Sequence, residues 1–123
     1  MTDIDTDAAI LRAVLDRWQA GIAAHDPRAV AANFTEDAIF QGLHPYSVGP
    51  DGVAAYYDVQ PVGMTVAYTL RETRRLAEDV VLGYLTAAFS FTDRPTRELY
   101  LGVVLRRTDA GWRIAHYQVS RLD

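Results

Sequence analysis

The sequence predicts an α+β fold in which three N-terminal helices cover the concave face of a strongly curved antiparallel sheet. Apolar residues recur at helical spacing in the first half of the chain, whereas from residue 64 onward the sequence alternates like β-strands separated by short turns. The chain has 123 residues, and hydrophobic residues make up 50% of them. We therefore expect residues 1–123 to form one domain with its own core.

Three segments of the first half are predicted to be helical. Apolar side chains repeat every three to four residues over 5–25, and Asp5 or Thr6 can cap the first amides. An aspartate followed by proline opens a second, short helix over 26–34. Glycine and proline open the third helix, over 50–58.

The predicted strands are one short strand and four long ones. Residues 35–37 are expected to form a turn before a short strand over 38–42, and residues 43–50 a loop with two prolines and a glycine. The long strands are predicted over 64–76, 80–91, 97–108 and 111–122. Their short connections predict an antiparallel meander.

Composition argues against several classes of protein. The net charge of −4 and the sequence pI near 5.2 leave no basic surplus for neutralising phosphates, so we expect no nucleic-acid partner. There is no basic amphipathic stretch and no apolar run of membrane-spanning length, so we expect no membrane partner. The absence of cysteine excludes disulfides and a thiol nucleophile, and the N-terminal residues lack a signal pattern, which predicts a cytoplasmic protein.

Four stretches carry a resemblance to a known fold family. They are "HDPRAVAANFTEDAIF" (25–40), "VGPDGVAAYY" (48–57), "LAEDVVLGYLTAAF" (76–89) and "DAGWRIAHYQVS" (109–120). In this order they resemble the nuclear transport factor 2-like superfamily, and within it the SnoaL-like and SgcJ/EcaC-like small proteins. The resemblance implies a cone-shaped sheet around a deep, mostly apolar pocket that the helices close. It also implies a homodimer formed through the outer face of the sheet.

The closing strand raises the question of which side chains face the cone. In family members that resemble it, the phase of Tyr117 and Val119 tends to face inward, and that of Trp112, His116 and Gln118 outward. The residues agree in part, because the first set is apolar apart from one phenol, as a pocket wall would be. A one-residue bulge would reverse this assignment.

The tyrosines form the most informative set of candidate site residues. By the same argument of strand phase, Tyr84 and Thr86 are expected to share the inner face with Tyr100 and Tyr117. A phenol can donate a hydrogen bond to a carbonyl or enolate oxygen, which makes Tyr84, Tyr100 and Tyr117 candidates to polarise a ligand. The alternative is that each tyrosine is amphipathic core with its hydroxyl at the edge.

The three histidines have separate interpretations. His44, the candidate general base, and Tyr46 lie in a loop expected near the cone mouth; the alternative is a surface loop held by Pro45. His116 is a tempting base, but we favour a hydrogen-bonding role at the outer sheet face. His25 is interpreted as structural, at the end of the first helix. The spacing of the histidines predicts no metal site.

Three functions are compatible with these residues. The first is a small-molecule pocket protein acting as an isomerase, cyclase or dehydratase of secondary metabolism. The second is a non-catalytic binder or carrier of a hydrophobic or aromatic metabolite, and the third is a dimeric association module. The predicted strand interiors contain only two carboxylates, Glu72 and Glu98, which weighs against an enzyme with a carboxylate base. No nucleotide-binding motif occurs, so no cofactor is predicted.

The predicted ligand-contacting residues are aromatic or lie in the strand phases taken to face inward: Trp18, Phe34, Tyr46, Tyr57, Thr86, Tyr100 and Val119. The predicted catalytic residues are the base and two phenols named above: His44, Tyr84 and Tyr117.

Overall fold

A computed structural model describes residues 6–121. The elements, in chain order, are α1 (Asp7–Ala23), α2 (Pro27–Ala31), β1 (Phe34–Gln41), β2 (Ser47–Val48), α3 (Pro50–Asp58), β3 (Thr65–Ala77), β4 (Val80–Ser90), β5 (Arg97–Thr108) and β6 (Gly111–Ser120). The predicted α+β class, the three helices and the four-strand meander are confirmed.

The sheet is curved and unclosed, with the strand order β2-β1-β6-β5-β4-β3. β3 to β6 pair antiparallel in sequence order, and β1 pairs in parallel with β6. The helices pack on the concave side, where a single hydrophobic core fills the cone.

The helix ends follow from local hydrogen bonds. The Thr6 hydroxyl accepts from the Ala9 amide at 3.2 Å, and the Asp26 carboxylate accepts from the Ala29 amide at 3.1 Å. Asp5, the alternative cap of the first helix, lies outside the described residues. His25, at a positive φ of 50°, follows the end of α1 and turns the chain into α2, so its predicted position is confirmed.

The first strand begins earlier than predicted. Residues 35–37, expected to form a turn, lie within β1, whose pairing with β6 is irregular between Phe34 and Ile39. The Thr35 hydroxyl donates to the Asp37 carboxylate at 2.9 Å inside this irregularity. Turn-forming residues therefore occupy a bulged strand, and their composition alone does not distinguish it from a turn. The expected loop over 43–50 contains the two-residue strand β2.

The two faces of the sheet differ along β4 and β5. Their inner-face residues include Leu85 and Ala87 on β4 and Leu101 and Val103 on β5, all of which are buried. Residues of the other phase, such as Tyr84, form the outer face. This alternation positions the candidate site, because only inner-face side chains contact the cone interior.

A bulge in β6 changes which residues face inward. Ala115 is an extra residue opposite the step from Val104 to Leu105. As a result Ile114 and Tyr117 are both buried, although they belong to opposite phases of an unbroken strand. The outward prediction for Trp112 is wrong, since Trp112 packs against the core.

Within residues 6–121, no helix combines the length and apolar character that crossing a bilayer requires.

Candidate ligand pocket

A small cavity opens between α3, the ends of β4 and β5, and β6. Its volume is about 50 Å³. The apolar lining residues are Leu43, Met64, Phe89, Phe91, Leu99 and Val119. The polar ones are Tyr56, Tyr57, Gln60, Arg97 and Tyr117. We call this space the cone cavity; an apolar wall with a few convergent polar groups is typical of a ligand site.

A buried chain of hydrogen bonds ends at the cone cavity. The indole Nε1–H of Trp18 donates to Tyr57 Oη at 3.2 Å, and Tyr57 Oη lies 3.2 Å from Tyr117 Oη. All three side chains are at most 3% exposed. We call these three residues the phenol chain.

The phenol chain has more donor hydrogens than acceptors. Trp18 contributes one N–H, and Tyr57 and Tyr117 contribute one O–H each, but only two hydrogen bonds join the three groups. Whichever phenol donates to the other, one O–H hydrogen has no acceptor among the described residues. Since both phenols line the cone cavity, that hydrogen is available to an oxygen atom placed there.

Burial keeps both phenols protonated. Desolvation raises the pKa of Tyr57 and of Tyr117 well above the ordinary value of 10.0, and the hydrogen bonds around Tyr57 oppose only part of the shift. Desolvation also raises the pKa of Tyr56, whose Oη accepts from the Leu43 amide at 3.3 Å. The phenols are therefore hydrogen-bond donors, not bases, near neutral pH.

Aromatic side chains pack around Tyr117 in the core. The Phe40 ring stacks on Tyr117 at 4.6 Å, and Phe34 and Trp18 contact Tyr117 at 6.0 Å each. Trp18 and Phe34 were predicted to contact a ligand, but neither lines the cone cavity. Both pack against the Tyr117 ring instead. The cavity is consequently smaller than the deep pocket that the family resemblance implied.

The inward prediction for Tyr84, Thr86 and Tyr100 is wrong. All three lie on the outer face, where Tyr84 and Tyr100 are 39% and 38% exposed and stack with ring centres 5.6 Å apart. The reason is the opposite phase of β4 and β5, which is almost purely apolar and is buried in preference. That apolar phase is the signal in the sequence that would have identified the inner face, and the prediction did not use it.

The loop residues His44 and Tyr46 do not reach the cone cavity. His44 is exposed and contacts the outside of the Tyr56 ring, with ring centres 5.7 Å apart. Tyr46 is 65% exposed. The structure therefore gives no support to His44 as a base inside the cone or to Tyr46 as a ligand contact. It places both in a surface loop, the alternative left open by the sequence.

The remaining predicted residues lie where they were expected, Tyr57 on α3 and the others in the strand phases of β6. Tyr57, Tyr117 and Val119 line the cone cavity, and His116 and Gln118 lie on the outer face. Sequence reasoning missed Arg97, although it shares the strand phase of the apolar residues Leu99 and Leu101.

The lining of the cone cavity contains no aspartate, glutamate or histidine from residues 6–121. Nor do three metal-ligating side chains converge within that range. The polar chemistry that lines the cavity is thus that of phenol, amide and guanidinium groups.

Comparison with known families identifies this fold. Residues 11–123 match the model of the SnoaL-like domain. The chain belongs to the SnoaL-like domain family. No curated protein matches the sequence significantly.

Solved structures with the same fold have diverse descriptions. A putative calcium/calmodulin dependent protein kinase II association domain from Xanthomonas campestris has a TM-score of 0.85 at 18% identity, covering 99% of this chain and 92% of its own. A ketosteroid isomerase-like protein from Erwinia carotovora atroseptica has a TM-score of 0.75 at 22% identity, covering 97% and 98%. A domain of unknown function with a cystatin-like fold from Nostoc punctiforme has a TM-score of 0.82 at 19% identity, covering 95% and 78%. At these identities the likeness extends to the fold alone.

Proposed function

We propose that this SnoaL-like protein binds a small hydrophobic or aromatic molecule in the cone cavity, with an acceptor oxygen facing the phenol chain. The observation that carries the proposal is the unmatched O–H of the pair Tyr57 and Tyr117, buried beside a mostly apolar cavity. A buried donor without an acceptor is unfavourable, so a ligand carbonyl or hydroxyl placed there gains more than it would in water.

The cone cavity is too small for an aromatic ligand unless a side chain of its wall moves. Its volume of about 50 Å³ is below the roughly 150 Å³ that accommodates benzene in an engineered cavity. An aromatic ligand therefore requires the side wall to move. Tyr56 and Leu43 form that wall and are joined by the single hydrogen bond to the Leu43 amide, so we expect this contact to open.

Binding without turnover is the form of this function that the cavity lining favours. A phenol can polarise a carbonyl, as an isomerase, cyclase or dehydratase would need, but such reactions also need a base that removes a proton. The lining residues from the described chain provide no carboxylate or imidazole.

Native mass spectrometry of the protein purified from cells, before and after denaturation, is the first test of this proposal. A retained small molecule would give the mass of the ligand directly. Binding of that molecule, or of phenol-sized ketones and amides, is then measured by NMR titration of wild type and the double variant Tyr57→Phe/Tyr117→Phe, because either phenol can hold the unmatched hydrogen. We expect about tenfold weaker binding in the variant, because it loses one hydrogen bond to a buried acceptor.

The control for this experiment is Tyr84→Phe, which removes a phenol from the outer face. Its binding should equal that of wild type. Equal affinities of wild type and Tyr57→Phe/Tyr117→Phe for every bound probe would overturn the proposal.

A second candidate function is self-association through the outer face, as a homodimer. The supporting observation is the group of exposed apolar side chains there, which comprises the Tyr84–Tyr100 stack, Ile39 and Val48. That two structural neighbours are described as putative association domains agrees with it. A binding pocket and a dimer are compatible, because they use opposite faces.

Sedimentation analysis of Tyr84→Arg tests the homodimer. A guanidinium at the centre of an apolar contact should shift the protein to monomers, whereas Tyr46→Arg, a change at an exposed tyrosine of the surface loop, should leave the dimer intact. A wild type that sediments as a monomer, or a variant that stays dimeric, would contradict this candidate. The cytoplasmic location remains a prediction from the sequence.

A further inference from the structure

One cation at the mouth of the cone cavity has no counter-charge among the described residues. Arg97 is the first residue of β5 and pairs with Phe89 of β4. It has the strand phase of Leu99, so its side chain points to the inner side, where it lines the open end of the cavity.

Six other arginines form an ion pair with a carboxylate of residues 6–121: Arg28, Arg74, Arg75, Arg94, Arg106 and Arg107. Arg94, three residues earlier, pairs with Asp93 at 3.0 Å, and Arg28 pairs with Asp51 at 2.8 Å. Arg97 makes no hydrogen bond or ion pair with any residue from 6 to 121. Because the chain has 16 acidic against 12 basic residues, this is not for lack of carboxylates.

The surroundings of Arg97 favour a ligand over a missing protein partner. No acidic side chain from residues 6–121 lines the cavity that it faces, and six of the other lining residues are apolar, including Phe91 and Leu99. A guanidinium presents a planar set of N–H donors that matches a carboxylate in two parallel hydrogen bonds. A single arginine with no other cation in the described lining suits a singly charged group and not a phosphate dianion.

We infer that the cone cavity takes amphipathic monocarboxylates, with the carboxylate on Arg97 at the mouth and the apolar body inside. This inference rests on the proposed function, since it names the chemical class of the ligand for the same site. The acceptor oxygen that faces the phenol chain and the carboxylate that faces Arg97 would then lie at opposite ends of one molecule.

A pair of probes that differ only in charge tests the inference. Hexanoate and hexanamide, and in parallel 3-phenylpropanoate and its amide, are titrated into wild type, Arg97→Gln and Arg94→Gln by NMR. For wild type we expect the carboxylate to bind about five- to tenfold more tightly than the amide, and added salt to reduce this preference.

The two arginine variants form a matched control. Arg97→Gln should abolish the preference by weakening only the carboxylate, whereas Arg94→Gln should keep it, because Arg94 is already neutralised by Asp93. Both positions are exposed, so thermal melting should show wild-type stability for each variant.

The outcomes separate the two proposals. If wild type binds carboxylate and amide equally, or if Arg97→Gln keeps the preference, the inference fails while the pocket function stands. If neither member of either pair binds wild type at the cone residues, the proposed function fails and the inference fails with it.

Discussion

The two faces of the sheet use the same residue type in different ways. On the inner face Tyr117 is 1% exposed and joins a chain of hydrogen bonds, whereas on the outer face Tyr84 and Tyr100 stack on each other beside solvent. The pairing register explains the difference, since Tyr117 lies opposite the buried Val103 and Tyr84 lies opposite Gly102. Strand phase, and not the identity of the residue, therefore decides which tyrosine can meet a ligand.

The two faces differ in how a substitution affects stability and function. The inner face combines the core with the candidate pocket, so changes there affect both. The outer face contributes little to the core, so its aromatic groups are available for contact with another surface. Substitutions on the two faces should therefore differ in their effect on stability, and the difference should be largest in the core.

Truncating the buried end of the phenol chain should be the most damaging change. Trp18→Ala removes a fully buried indole that packs against Phe89 and Tyr117 and donates to Tyr57. We expect a loss of about 3–5 kcal/mol in the free energy of unfolding, measured by urea denaturation. Tyr84→Ala on the outer face should cost about 1 kcal/mol or less. Equal losses would show that the two faces do not differ in this way.

Two glycines in neighbouring strands give a matched test of the same contrast. A Cβ at Gly83 would lie 2.7 Å from a methyl group of the fully buried Leu11 and 3.3 Å from one of Val103, whereas a Cβ at Gly102 would meet nothing within 4 Å. Gly83→Ala should destabilise by about 1–3 kcal/mol through overpacking. Gly102→Ala should change stability by about 0.5 kcal/mol or less. The midpoints of thermal unfolding check both, and a reversed order would refute the assignment of faces.

Removing single hydroxyls should reveal the order of the phenol chain. Tyr57→Phe leaves both the Trp18 N–H and the Tyr117 O–H without an acceptor, whereas Tyr117→Phe leaves one unmatched donor, as in wild type. We expect a cost of about 1–3 kcal/mol for Tyr57→Phe and a smaller one for Tyr117→Phe. Urea denaturation of the two variants measures the difference. A larger cost for Tyr117→Phe would indicate that Tyr117 has a further acceptor.

Alkaline pH should weaken the fold through the inner tyrosines. The pKa of Tyr57 and of Tyr117 is raised in the folded state, so the folded protein holds these protons more tightly than the unfolded chain. Their contribution is complete below the unfolded pKa of about 10 and is lost as the pH rises above it, by about 1 kcal/mol per pH unit for each phenol. The free energy of unfolding at about pH 8 and about pH 11 measures this slope. It should be smaller in the double variant Tyr57→Phe/Tyr117→Phe, and an unchanged slope would contradict the prediction.

Much of the fold follows from local signals. The caps at Thr6 and Asp26 and the periodic apolar residues define the helices, and the short turns define the meander. The early start of β1 does not follow, because residues 35–37 favour turns, and they lie within the strand only between the β6 pairs of Phe34 and Ile39 on either side. Tertiary pairing decides such segments.

The candidate site is less accessible to sequence reasoning than the fold. Tyr117 and Val119 were placed correctly, while a single bulge at Ala115 reversed the phase of Trp112. Tyr84, Thr86 and Tyr100 were misplaced because aromatic character was given more weight than the purely apolar phase beside it. Arg97 was missed because a charged residue at the end of a strand is usually solvated. Its place in the lining of the cone cavity is visible only in the structure.

The position of β6 has a consequence for how the protein is made. Although β6 follows all other elements in sequence, it lies between β1 and β5 in the sheet, and it provides Tyr117 and Val119 to the cone cavity. During synthesis the chain leaves the ribosome N-terminus first. β1 therefore has no partner on its β6 side until about 70 more residues have been synthesised. Until then the edge of β5 and the aromatic interior are open, which makes this interval the stage at which a chaperone, or the ligand itself, would protect the nascent protein.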